Sequence, residues 1–188
     1  MDRDNRQTRG MSTMFRTEQK DGKKYIEGYF AVFDGVYELW ENATESVGEH
    51  AFDDALDNDI RALIDHETRL VLGRTKANTL KLSIDKKGLF GRIEINENDV
   101  DAMNLYARVQ RGDVDQCSFG FEILQERTDF DGEKVHWTIE KVRLHEVSCV
   151  TFPAYKDTSI SARKADFAQF KQNDLRKAKA TMLGRLGK

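Results

Sequence analysis

The spacing of apolar positions changes several times along the chain, and each change marks an element. "KKYIEGYFAVFD" (residues 23–34) is rich in aromatic and β-branched residues and ends at Asp34-Gly35, which predicts a strand. A polar loop is expected from Glu38 to Gly48. In "EHAFDDALDNDI", Phe52, Leu56 and Ile60 recur every four residues, as on one helical face, and predict a short amphipathic helix. "RALIDHE" and "LVLGRT" return to strand-like composition, with Ala62, Ile64 and His66 on one face. Leu80, Leu82 and Ile84 alternate, "DKKG" interrupts, and Leu89, Ile93 and Ile95 resume, which is the pattern of a hairpin. "NDVDAMNLYARVQRGD" offers Asn98 or Asp99 as an N-cap and Gly112 as a stop, and predicts a helix.

"DVDQCSFGFEI" (113–123) reads as the next strand. "TDFDGEKVHWTIEKVRLHEVSCV" then supplies an Asp-Gly turn, a β-arm and a long strand, closed by Pro153, the one proline. The expected fold is mainly β with flanking helices, an α+β protein of about seven strands that forms a small closed or nearly closed barrel. Three sections are expected: a loose polar segment over 1–22, the β body over 23–163, and a C-terminal section over 164–188. That last section carries seven Lys/Arg and two Asp/Glu, a net of +5, so the remainder carries -8 of the total -3. Phe167, Phe170 and Leu175 fall roughly on one helical face, which predicts a basic amphipathic helix. It reads either as a solvated terminal helix or as a docking segment.

Composition narrows the class. With 188 residues, 39% apolar and 34% charged, the chain is long enough for one domain with a core and an appendage. A net charge of -3 argues against a dedicated nucleic-acid binder. Two cysteines, Cys117 and Cys149, make no disulfide framework, and reduced thiols in a cytosol-like compartment are expected. The N-terminal residues lack a signal-peptide apolar core, and no run approaches the ~18 apolar residues of a membrane span. A soluble intracellular protein is therefore expected.

The candidate chemistry centres on "CSFGFE". Side chains alternate along a strand, so Cys117, Phe119, Phe121 and Ile123 share an apolar face while Ser118, Gly120 and Glu122 share the other. Cys117 then packs in the core as a small hydrophobe. Ser118 faces away from it, beside a glycine that leaves room for another chain to approach. A serine nucleophile needs a base. Of His50, His66, His136 and His145, only His66 ends an apolar strand, where its ring can be half-buried and oriented. Glu146 shares a predicted face with Val142, Leu144, Ser148 and Val150. A carboxylate among apolar residues is costly unless paired, either with a cation or with an imidazole that it orients. Structural readings stay open for each residue taken singly: a solvated serine, a hydrogen-bonded histidine, a salt-bridged glutamate. A zinc site from Cys117, Cys149, His66 and His145 has the right residue types but lacks the usual short ligand spacings.

In order, "GYFAVFD", "ALIDHE", "CSFGFE" and "LHEVSCVTFPAY" resemble the prohead maturation proteases of tailed bacteriophages with the HK97-type capsid, over roughly residues 25–163. That family resembles the herpesvirus assemblins. The resemblance implies a small antiparallel barrel of the assemblin type and a serine endopeptidase, with Ser118 as nucleophile, His66 as general base and Glu146 as third member. The herpesvirus relatives use a second histidine in that third role, and His145 is adjacent; on a regular strand His145 and Glu146 point to opposite faces. The resemblance further implies no metal or cofactor and packaging inside the prohead in the host bacterial cytoplasm. The implied partner is the major capsid protein with its scaffolding region, which the protease cuts before digesting itself. A homodimer is implied by analogy with the herpesvirus enzymes, and neither nucleic acid nor membrane has a direct role. The contrasting reading is a non-enzymatic assembly factor of the same fold. The sequence names no oxyanion donors beyond the suggestive position of Gly120.

Overall fold

A computed structural model of the protein describes residues 7–12, 15–33 and 35–152, and further along the chain residues 163–165, 167–169, 171–172 and 176. The chain divides into two compact units, residues 2–155 and residues 156–188 with Met1. Described residues of the second unit have helical backbone, with the Lys171 ammonium over the Phe167 ring. Most of the expected tail helix, including Phe170 and Leu175, lies outside the described residues, as does Pro153.

The first unit is mainly β. Its strands are β1 (Gln7–Ser12), β2 (Arg16–Lys20), β3 (Lys23–Val32), β4 (Val36–Trp40), β5 (Ala43–Val47), β6 (Arg61–Ile64), β7 (Glu67–Arg74), β8 (Leu80–Ile84), β9 (Gly88–Glu94), β10 (Gln116–Asp131) and β11 (Lys134–Val150). One helix, α1 (Val100–Arg111), lies between β9 and β10. A seven-stranded sheet runs β1-β10-β11-β5-β4, with β6 also on β11 and β7 on β6; a four-stranded sheet runs β2-β3-β9-β8. Most pairs are antiparallel, but β11 runs parallel to both β5 and β6, which an all-antiparallel barrel would not contain.

Local chemistry accounts for the elements read correctly. Asp99 caps α1 by accepting from the backbone N–H of Asp101 and Ala102. Gly112 ends it at φ 86°, a left-handed conformation, and its N–H reaches the Arg108 and Val109 carbonyls. Ala102, Leu105, Tyr106 and Val109 form the buried face of α1. Gly132, at φ 61°, turns β10 into β11. The core gathers Ile26 and Phe30 of β3, Ile93 of β9, Leu105 of α1 and Phe119 and Phe121 of β10, all fully buried. Burial of each such side chain contributes on the order of 1.5–3 kcal/mol. The Phe119 ring stacks on Phe121 at 4.7 Å and meets Phe52 edge-on at 5.5 Å.

Three local expectations fail. The segment over 1–22, expected to be loose, holds β1 and β2, which pair with β10 and β3. The supposed loop over 38–48 holds parts of the β4–β5 hairpin, turned at Asn42 with φ 66°. Its polar residues hid the alternation of buried Ala43, Glu45 and Val47. The helix expected over 49–60 is a chain of turns. Successive three-residue bonds close it: Ala51 N–H to Gly48 O, Asp53 N–H to His50 O, Ala55 N–H to Phe52 O and Asn58 N–H to Ala55 O. Phe52 and Ile60 are buried, so their spacing records contact with the core rather than a helical period.

Candidate functional site

The site lies on the face of the seven-stranded sheet opposite the core face. Cys117 stands opposite Cys149 and Phe119 opposite Val147, all four in the core cluster. Ser118 stands opposite Ser148, and Gly120 opposite Glu146, so these four share the other face. On the far side of β11, Ser148 neighbours Leu63 and Glu146 neighbours Arg61 across the parallel β6 pairing.

A bulge sets this arrangement. Gly120 pairs with Glu146, but Phe121 pairs with Leu144, so β11 spends one extra residue, His145, at this point. One extra residue resets the alternation. Val142 and Leu144 before the bulge face the core, and so do Val147 and Cys149 after it. Glu146 is therefore not on the face of Val142 and Leu144, as regular alternation predicts. Nor do His145 and Glu146 point to opposite faces, because both line the same cleft.

His66 is not the last residue of a strand. β6 ends at Ile64 and β7 begins at Glu67, so Asp65 and His66 form a two-residue turn with φ 49° and 62°. Both central residues are left-handed, a conformation in which Asp and His are several-fold enriched among non-glycines. Asp65 secures the turn: its N–H donates to the Cys149 carbonyl at 2.9 Å, and its carboxylate accepts the Thr151 N–H at 2.8 Å. The turn swings the imidazole back to β11, where His66 Nδ1 meets Glu146 Oε1 at 2.7 Å. Glu146 is 2% exposed and His66 14%. The second Glu146 oxygen accepts a hydrogen bond from Ser148 Oγ. Among the described residues His66 Nε2 is buried with no hydrogen-bond partner.

Ser118 is fully buried, and its Oγ donates to the Arg9 carbonyl of β1 at 2.9 Å. β1 flanks β10 there, with Gly10 opposite Ser118. Arg9 itself is fully buried. Its guanidinium forms a two-point ion pair with Glu45 of β5 and lies 5.5 Å from the centre of the Phe121 ring. Ser118, Glu146 and the His66 ring are thus gathered in one region, and His66 and Glu146 are directly bonded. Ser118 and His66 are not hydrogen-bonded to each other.

His145 Nε2 bonds Glu122 Oε1 at 2.9 Å, and Arg143 holds the other Glu122 oxygen at 2.8 Å. Glu122 and His145 border a cleft of about 420 Å³ whose lining also includes Asp59, Arg61, Leu63 and Glu146. A forked bond from Arg74 holds the Asp59 carboxyl down at about 2, assisted by Arg61. On the core side, burial pushes the Cys149 thiol far above its ordinary value. Cys117 Sγ points to the Tyr29 carbonyl. The two thiols lie on the core face while His145 and Glu146 line the outer cleft, so the four-residue zinc set is not assembled. Among the described residues no group of three His, Cys, Asp or Glu is placed to hold a metal.

The sequence reading missed Ser148, Arg9, Glu45 and Asp65. Alternation puts Ser148 with Glu146, which was a signal. Nothing local announces that Arg9 and Glu45, 36 residues apart, are paired.

Comparison with known proteins places residues 12–173 in a match to the family described as caudovirus prohead serine protease. The chain is 32% identical over 155 residues to the prohead protease of Enterobacteria phage HK97, covering 77% of this chain and 63% of that protein. It therefore spans about 63% of the length of that relative. Among solved structures, the bacteriophage T4 capsid assembly protease matches with a TM-score of 0.51 at 13% identity, over 79% of this chain and 97% of the other, a likeness of fold.

Proposed function

Because the chain belongs to the family of caudovirus prohead serine proteases, we propose that it is a serine endopeptidase of capsid maturation, with Ser118 as nucleophile, His66 as general base and Glu146 as the residue that orients the base. One observation carries this reading: the 2.7 Å bond from the His66 ring to a nearly fully buried carboxylate, on the sheet face that also bears Ser118. A buried carboxylate at Nδ1 fixes the tautomer whose Nε2 can accept a proton, and it stabilises the imidazolium that results. His66 Nε2 has no competing partner among the described residues. For attack, Ser118 Oγ gives up the Arg9 carbonyl and donates to Nε2. The oxygen then adds to the scissile carbonyl, and His66 returns the proton to the leaving amine. Glu146 is preferred to His145 as third member, since His145 is engaged with Glu122.

The proposed substrates are the scaffolding region of the major capsid protein, cut inside the prohead, and the protease itself. The cleft beside Glu146 is a natural seat for a substrate side chain. An assemblin-type barrel suits this reading, since the consecutive strands β1 and β2 belong to different sheets and can bridge them. The basic section over 164–188 is proposed to dock on acidic, helical scaffold, and a homodimer is proposed by analogy with the herpesvirus enzymes. No metal or cofactor is needed for this chemistry. A second reading, a non-enzymatic assembly factor of the same fold, draws on the Ser118–Arg9 bond, which occupies the hydroxyl.

Intact-mass analysis of the capsid protein produced with this protein, beside the Ser118→Ala variant, separates the two. Trimming by the wild type alone supports the protease. Identical masses in both samples favour the assembly factor.

A further inference from the structure

We propose that Ser148 is a positioning residue for the His66–Glu146 pair: its hydroxyl fixes the rotation of the Glu146 carboxylate, so that Oε1 is aimed at His66. The inference rests on the reading of Ser118, His66 and Glu146 as the hydrolytic site and assigns that site a fourth polar group.

A glutamate reaches its partner through three torsions, and the last, which rotates the carboxylate, is broad. Burial alone does not fix it. A donor on each oxygen does, because the two bonds together define the carboxylate plane. His66 Nδ1 takes Oε1 and Ser148 Oγ takes Oε2. Hydrogen bonds to an ionised acceptor are shorter and stronger than neutral ones. Ser148 is fully buried, so water does not replace it there.

The bulge makes this possible. Without the extra residue at His145, the phase after position 145 would reverse, and Glu146 and Ser148 would face the core with Leu144. With it, both residues turn outward to the face of Ser118. Ser148 stands between Ser118 and Leu63 across three strands, yet its hydroxyl goes to Glu146 while that of Ser118 goes to Arg9. The two serines therefore have separate tasks: one is placed to react and the other holds the carboxylate.

The test uses the full chain, with Ser148→Ala and Ser148→Thr beside the wild type. Hydrolysis of p-nitrophenyl acetate supplies kcat and KM. The downfield proton NMR resonance of the His66 Nδ1–H, identified by its loss in Glu146→Gln, reports the imidazole–carboxylate bond without requiring turnover. In Ser148→Ala, kcat is expected to fall about tenfold at unchanged KM, the order of one hydrogen bond to a charged group. The resonance should broaden, and Ser148→Thr should restore both. Wild-type values of kcat and resonance in Ser148→Ala would overturn the proposal. So would a defect confined to KM, or a wild-type resonance in Ser148→Ala alongside a lowered Tm, either of which makes Ser148 a packing residue. If the wild type hydrolyses nothing but its resonance is sharp and is lost in Ser148→Ala, the positioning role stands and the protease reading falls.

Discussion

The hydroxyl of Ser118 donates to the backbone carbonyl of Arg9, 109 residues away in the sequence, at 2.9 Å. The proposed nucleophile is thus fully buried and bonded to a neighbour other than its proposed base, His66. Ser118→Ala removes one neutral hydrogen bond, so unfolding free energy should drop by only about 1 kcal/mol. Cleavage of the capsid protein should fall by about a thousandfold or more. Chemical denaturation beside a gel-based cleavage assay checks both values. A large stability loss with residual cleavage would make Ser118 a structural serine.

The strand that carries that carbonyl is anchored by the buried Arg9–Glu45 pair. Arg9→Ala leaves a carboxylate buried without its principal cation, and should destabilise by ~3–5 kcal/mol. Replacing both partners with apolar residues, as Arg9→Met with Glu45→Leu, should recover most of that loss. Urea unfolding of the single and double variants measures the difference.

Glu146 and His145 are separable by mutation. Glu146→Gln keeps the shape of the side chain but turns the imidazole to the wrong tautomer, and should lower kcat by up to about ten-thousandfold. His145→Gln breaks a bond to Glu122 that lies outside the proposed triad and should alter kcat by no more than a few-fold. A reversed ranking of the two would move His145 into the third position.

Asp59 sets one component of acid stability. Arg74 holds its folded carboxyl at about 2, below the ordinary 3.8. A depressed folded value stabilises the protein above the ordinary value, and that contribution disappears as pH falls through about 2. Asp59→Asn should therefore lower Tm at neutral pH, and the gap from wild type should close between pH 4 and pH 2. A gap independent of pH would place the Asp59 contribution outside its charge.

Cys117 and Cys149 are both buried, and desolvation raises the Cys149 thiol. Neither should react with a thiol reagent such as dithionitrobenzoate in the native protein, and both should react after denaturation. Rapid native labelling of Cys117 would show that its thiol reaches solvent and does not simply pack in the core.

The residues of the candidate site were legible because each carries its chemistry in its own identity and local face. Alternation alone separates Ser118 from the apolar Cys117 and Phe119, and the structure keeps that separation. The cap at Asp99, the stop at Gly112 and the turn at Gly132 were legible for the same reason, since each is a local property of a short stretch. The site's geometry was not. Regular alternation put Glu146 with Val142 and Leu144, and the bulge at His145 reverses that. A bulge leaves no composition signal: it is the pairing of β10 with β11 that spends the extra residue. The 49–60 segment failed in a related way. Its four-residue spacing is real, but what repeats is contact with a core built by other strands.

What the sequence determined by itself is the set of local commitments: mainly β composition, the capped α1, the Asp-Gly arm, and a histidine, a serine and a glutamate in that order on strand-like segments. These follow from short-range sterics and from the period of two along a strand. Only the tertiary structure decided which of those groups meet. The left-handed turn at Asp65-His66 depends on Thr151 and Cys149 at the far end of β11. The bulge exists only in the pairing of β11 with β10, between Gly120–Glu146 and Phe121–Leu144, and the burial of Ser118 depends on β1 lying alongside. Each is a contact between residues far apart in the chain, formed when the sheet assembles, and no local pattern of polar and apolar positions encodes it.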